Sequence, residues 1–171
     1  IQGYAAIDMD AIQPLNDAVG GVEVTIHEGD ILPAKFKPGT KVLLKGKDVE
    51  SYVRSRTTEL PGEPIDTNNN RMARQKQYMT NFLYKVLQQT KEDITTPMKL
   101  FNIARQGEHI VTNINAAAVA YLSKSFPKIS FSEGNFLTIP GEVKAGEKHA
   151  EFYVDDEVLY EMIVEAFYTK E

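Results

Sequence analysis

The apolar positions of this chain follow two spacings that alternate along its length. Ile7, Ala11, Leu15 and Ala18 recur every three or four residues and predict a helix over residues 8–19. Gly20-Gly21 ends it, since glycine tolerates the left-handed turn past a helix. Val22-Glu23-Val24-Thr25-Ile26 alternates and is β-branched, so it predicts a strand. Pro38-Gly39 marks a turn, followed by a short strand over residues 41–45. Residues 46–54 predict a short helix with Val49, Tyr52 and Val53 on one side. Residues 57–70 hold Pro61-Gly62, Pro64 and three consecutive asparagines, and predict a loop. The longest helix is predicted over residues 70–89, and another over 95–106, with Pro97 in its first turn and Gly107 past its end. A strand at 109–112 leads to a helix capped by Thr112 or Asn113 and running to Ser125. Residues 136–139 and 150–154 predict paired strands around Pro140-Gly141, before a closing helix over 155–168. The alternation is that of an α/β fold. There is no internal repeat.

Composition adds mainly exclusions. A chain of 171 residues fits one domain with a real core, or two small lobes. A net charge of −5 and a pI near 5.3 speak against non-specific nucleic-acid binding. The chain has no cysteine, which excludes disulfides and thiolate metal sites. No apolar run approaches the roughly 18 residues of a membrane span. The longest, residues 114–122, contains Asn115. His27, His109 and His149 are scattered without metal-ligand spacing and read as surface or structural residues. Asp155-Asp156-Glu157 reads as an acidic first helical turn that complements the helix dipole. The chain begins at Ile1 without an initiator Met, which points to a processed form or a fragment with any membrane anchor upstream.

Charge is distributed unevenly. Arg54, Arg56, Arg71, Arg74 and Lys76 face Glu59, Glu63 and Asp66 within one stretch, a local +2 in an otherwise acidic chain. Arginine presents a planar fork of donors matched to phosphate and carboxylate oxygens. A small arginine cluster on an acidic background suits a discrete anion. At helical spacing Arg71, Arg74, Gln75 and Tyr78 share one stripe, with Met72, Met79, Phe82, Leu83 and Val86 forming an adjacent apolar stripe expected to pack on the sheet. That apolar stripe would serve as ordinary core or as the lining of a lipid tunnel. The arginines lie at the end of one predicted helix and the start of the next, where a folded-back loop would bring them together. Pattern alone leaves a second use open, as surface or ion-pair partners of Glu59, Glu63 or Asp66.

Several motifs in order resemble the LytR-CpsA-Psr family of Gram-positive cell-envelope proteins. They are Tyr4-Ala5-Ala6-Ile7-Asp8, Asp17-Ala18-Val19-Gly20-Gly21-Val22-Glu23-Val24, Phe36 with Pro38-Gly39, and Leu44-Lys45-Gly46. Tyr52-Val53-Arg54-Ser55-Arg56 and Arg71-Met72-Ala73-Arg74-Gln75 follow. The resemblance implies an α/β fold with a mixed central β-sheet flanked by helices, in which residues 1–90 are the C-terminal portion of the family's catalytic domain, whose N-terminal half is absent from this chain. Residues 91–171 would complete that domain or extend it. It further implies a phosphotransferase that moves a glycopolymer, of teichoic acid or capsular polysaccharide type, from a polyprenyl (di)phosphate carrier to peptidoglycan. The alternative it leaves is a non-catalytic envelope protein that binds lipid phosphate or glycan. An older reading of the family, transcriptional attenuation, sits badly with the acidic pI and with the absence of a DNA-reading motif.

By the same resemblance, Arg54, Arg56 and Arg71 are the catalytic arginines. Together with Arg74 and Gln75 they hold the diphosphate, Arg74 ranking lowest as a direct contact. The implied cofactor is Mg2+, its ligands expected in the missing N-terminal half and none in this chain. The implied place is the outer face of the cell membrane, anchored by an upstream helix. The chain departs from the family at Asn68, where an aspartate usually stands three residues before Arg71, and in a longer loop. An amide cannot act as a base, so Asp66 becomes the candidate acid.

Overall fold

A computed structural model of the chain describes residues 3–27, 35–55, 67–131, 135–145 and 150–168. They fall in two compact units, Ile1–Glu133 and Gly134–Glu171.

In the first unit the order is β1 (Ala5–Ile7), α1 (Ile12–Ala18), β2 (Val22–Thr25), β3 (Lys41–Leu44), α2 (Lys47–Arg54), α3 (Thr67–Glu92), α4 (Thr96–Gln106), β4 (Ile110–Thr112) and α5 (Ala116–Ser123). A one-turn 3-10 helix precedes α1 and another follows α5. The second unit holds β5 (Gly141–Ala145), β6 (Ala150–Val154) and α6 (Asp156–Phe167). The α/β class stands, and among the described residues the strands pair two by two, each pair antiparallel: β1 with β4, β2 with β3, β5 with β6.

The core lies between the β2–β3 ladder and the helices. Val22, Val24 and Ile26 point inward on alternate positions of one strand, as a half-buried strand requires. Leu44, Val49, Tyr52 and Val53 meet them from β3 and α2, and Tyr78 and Val86 from α3. Gly20 and Gly21 have φ of +81° and +86° and make the turn from α1 into β2. Two buried or capping polar groups lock that turn. Asn16 donates to Leu44 O at 3.0 Å and accepts from the Tyr78 hydroxyl, while Asp17 accepts from Gly46 N at 2.8 Å.

The outer edge of β2 is closed by side chains. Ile26 donates to Thr40 O, so even-numbered positions of β2 face β3 and odd-numbered ones face away. Along α3, Gln77, Asn81, Lys85 and Gln89 stand four residues apart. Gln77 accepts from Thr25 N, Asn81 donates to Glu23 O, Lys85 to Gly21 O and Gln89 to Val19 O. Four residues of helix advance about 6 Å, and two residues of strand about 6.6 Å. The helical row therefore keeps step with Thr25 and Glu23 of the strand, and continues onto Gly21 and Val19 of the turn that leads into it. It occupies the edge a further strand would need, and among the described residues no strand is added on that side.

Several expectations are corrected. Residues 8–19 are not one helix, because Ala5–Ile7 pairs with Ile110–Thr112 and Asp8 caps a 3-10 turn before α1. The strand expected at 136–139 lies instead at Gly141–Ala145, past Pro140, whose nitrogen has no proton to give a ladder. Asn115, rather than Thr112 or Asn113, caps α5, accepting from Ala118 N at 2.9 Å. Asn113 accepts from Tyr4 N instead, tying down the start of β1. On α3 the packing row is Arg74, Tyr78, Phe82 and Val86, while Met72 and Met79 are exposed. The acidic first turn of α6 does cap it, Asp155 accepting from Val158 N.

The junction of α3 and α4 carries a pH prediction. The Lys99 ammonium first, then the Thr95 hydroxyl and N–H, bond to Asp93 and hold its carboxyl well below its ordinary value. A depressed folded-state value means the stabilisation is present above the unfolded value near 3.8 and is lost as the pH falls below it. Thermal unfolding should show a smaller acid-induced drop in Asp93→Asn than in the parent protein below about pH 4. Parallel pH curves would refute this.

Candidate functional site

Arg54 closes α2, and Arg71 lies on the opening turns of α3. The two helices are stitched together where these residues sit. The last carbonyls of any helix have no partner within it. At the end of α2 they are taken by side chains of α3. Arg74 donates from Nε to Tyr52 O at 3.0 Å and from Nη2 to Ser55 O. Gln75 donates from Nε2 to Val53 O at 3.1 Å. Ser55 N turns back to Ser51 O. Arg54 thus sits between two residues whose carbonyls are held by the second arginine motif.

The four described members of the set differ in setting. Arg74 is 1% exposed, a charged side chain deep in the protein whose Nε and Nη2 donate to carbonyls. Gln75 and Arg71 are half-buried. Arg54 is 54% exposed and pairs with Glu50 one turn earlier at 2.7 Å. Such an exposed pair is weak and easily exchanged for a better anion. Arg56 and Asp66 lie outside the described residues, and the side chain of Asn68 is likewise not described. The structure therefore brings Arg54, Arg74 and Gln75 to one joint, with Arg71 one helical turn from Arg74.

Gln77 is a residue the sequence reading missed. Its Oε1 accepts from both Tyr52 OH at 2.8 Å and Thr25 N at 3.1 Å, which fixes its amide so that Nε2 meets the His27 ring. It joins α2, α3 and β2 about one turn along α3 from Arg74. The available signal was the polar row 77, 81, 85, 89 running beside the apolar row 78, 82, 86. The remaining candidates lie elsewhere. His109 pairs with Asp8 at 3.0 Å, bridging the ends of β1 and β4. Burial pulls the Asp8 carboxyl up, but bonds from His109, Ala11 N and Asp10 N together hold it below its ordinary value. A depression lined by Gln89, Asp93, Thr96 and Lys99 sits at the far end of α3. Among the described residues no three His, Cys, Asp or Glu side chains converge as a metal site.

A family model described as "LytR_cpsA_psr family" matches residues 1–166. The chain belongs to the LytR-CpsA-Psr family. A cell wall biosynthesis protein of Corynebacterium glutamicum, LcpA, is 30% identical over 143 residues, covering 82% of this chain and 26% of LcpA. The crystal structure of Bacillus subtilis TagV has the same fold, with a TM-score of 0.67 at 19% identity, covering 100% of this chain and 66% of TagV. A LytR-Csp2A-Psr enzyme from Actinomyces oris gives a TM-score of 0.56 at 21% identity, over 74% of this chain and 50% of that one. The chain thus spans about a quarter of LcpA and just under two thirds of TagV.

Proposed function

We propose that this chain is the part of a LytR-CpsA-Psr phosphotransferase that grips the diphosphate of a lipid-linked glycopolymer. The observation that carries the reading is the joint itself. Arg54 is presented to solvent at a point where Arg74 and Gln75 fasten α2 to α3, and Arg71 stands on the adjacent turn. Family membership and the name of LcpA, a cell wall biosynthesis protein, support a role in building the wall. The finer statements belong to the proposal: a polyprenyl diphosphate-linked donor, peptidoglycan as acceptor, and an extracytoplasmic site.

The chemistry asked of the arginines is electrostatic. An acceptor hydroxyl oxygen attacks the phosphorus that bears the polymer, and a phosphodiester forms. The bond to the bridging oxygen breaks, polyprenyl phosphate departs with the electron pair, and the hydroxyl proton passes to a base or to solvent. Charge builds on the phosphoryl oxygens and on the leaving phosphate, where preorganised guanidinium donors stabilise it. In this reading Arg54 and Arg71 do that work, joined by Arg56 on the family resemblance. Gln75 holds the backbone that presents Arg54. Magnesium remains part of the proposal, its ligands outside the described residues, and no step here is routed through it.

Asn68, in place of the family's aspartate, favours one second reading, a protein that binds the lipid diphosphate without turning it over. Turnover separates the two. The intact protein, given magnesium, a lipid-linked glycopolymer and peptidoglycan, is expected to release polyprenyl phosphate in step with polymer attachment. Binding without release would leave the scaffold reading standing and remove the transferase.

A further inference from the structure

We infer that Arg74 is a positioning residue that makes the end of α2 habitable for an anion, without touching the ligand; this rests on the diphosphate reading above. The C-terminus of a helix is the wrong place for a diphosphate. Its unpaired carbonyls carry the negative end of the helix dipole, equivalent to roughly half an elementary charge. Yet this is where Arg54 closes its helix. Arg74 meets the difficulty. Its guanidinium is buried, and it donates to Tyr52 O and Ser55 O, on either side of Arg54. Gln75 takes Val53 O between them. The carbonyls of Tyr52, Val53 and Ser55 are thereby covered, two of them by a buried guanidinium whose sign opposes the negative end of the helix. Arg54 is left free of the backbone, with Glu50 as a partner that an arriving phosphate can displace.

The placement explains the division of labour in Arg71-Met72-Ala73-Arg74-Gln75. Arg71 and Arg74 are one turn apart, yet Arg74 is the one that is buried. A residue whose role was only to hold the fold would satisfy these carbonyls with hydrogen bonds of either a neutral or a charged donor. Arg74 brings charge to the same place, and the expected consequence is a dependence on the charge of the ligand.

The test compares geranylgeranyl diphosphate with geranylgeranyl monophosphate binding to the intact protein and to Arg74→Lys, Arg74→Gln and Arg74→Met, with circular dichroism on each. The neutral variants should lose about tenfold or more for the diphosphate and only about threefold for the monophosphate, while Arg74→Lys stays within about threefold of the parent for both. If Arg74→Met does not fold, Arg74→Gln against Arg74→Lys carries the comparison. Equal losses for the two ligands, a lysine variant as weak as the neutral ones, or unchanged binding in Arg74→Gln would each overturn the inference while leaving the diphosphate site in place. No binding of either lipid by the parent protein would remove the site and this inference together.

Discussion

Replacing Arg54 and Arg56 together by alanine should abolish polyprenyl diphosphate binding while leaving the fold intact. Each arginine offers charge-assisted bonds to phosphate, worth about 1.5–3 kcal/mol apiece, so losing both should cost a factor of roughly a hundred to ten thousand in affinity. The fold should survive because Arg54 is more than half exposed and contacts only Glu50 among the hydrogen bonds described for its side chain. The carbonyls on either side of it are held from α3, whatever stands at position 54. Titration by calorimetry, with circular dichroism as the control, settles the matter. Equal binding by the parent and the double variant would sink the assignment of the diphosphate to these arginines.

Gly21→Ala should be among the most damaging single-methyl changes in the chain, and Gly39→Ala much milder. Both glycines sit in the left-handed region, with φ of +86° and +75°. An L residue there costs roughly 1–2 kcal/mol for conformation alone. The surroundings then separate them. A Cβ at Gly21 would lie 2.6 Å from Leu44 O, a backbone atom held in the β2–β3 ladder, and 3.0 Å from Lys45. A Cβ at Gly39 meets nothing within 4 Å. The clash should bring the total at Gly21 to about 3 kcal/mol or more, a fall in Tm of roughly 6–12 °C for a protein of this size, against a few degrees at Gly39. Similar melting temperatures for the two variants would show that the turn relaxes and that Leu44 is not fixed.

The local pattern made much of the fold legible. Alternating Val22, Val24 and Ile26 named their own strand, because one face of a strand is buried and the side-chain period is two. Pro97 and Gly107 bracketed α4, and Gly20-Gly21 ended α1. The errors fell where a partner distant in the chain decides. Ala5–Ile7 is only three residues long, and its strand state comes from β4, more than a hundred residues away. That pairing has no local signature.

The site divides in the same way. By itself the sequence determined the chemistry on offer: two arginine motifs, their order, their placement at the end of one helix and the start of the next, and the family they share. Residue type and helical spacing carry that information. Only the tertiary structure decided which arginine faces which way. On spacing alone Arg71, Arg74, Gln75 and Tyr78 form one stripe, and the helical period cannot say whether that stripe meets ligand, solvent or core. Packing answers it, because Tyr78 and Val86 must bury against β2, and the same rotation of α3 carries Arg74 inward to the unpaired carbonyls of α2. That rotation is fixed by the match between a helix advancing about 6 Å in four residues and a strand advancing about 6.6 Å in two, a relation between two segments that neither segment contains alone.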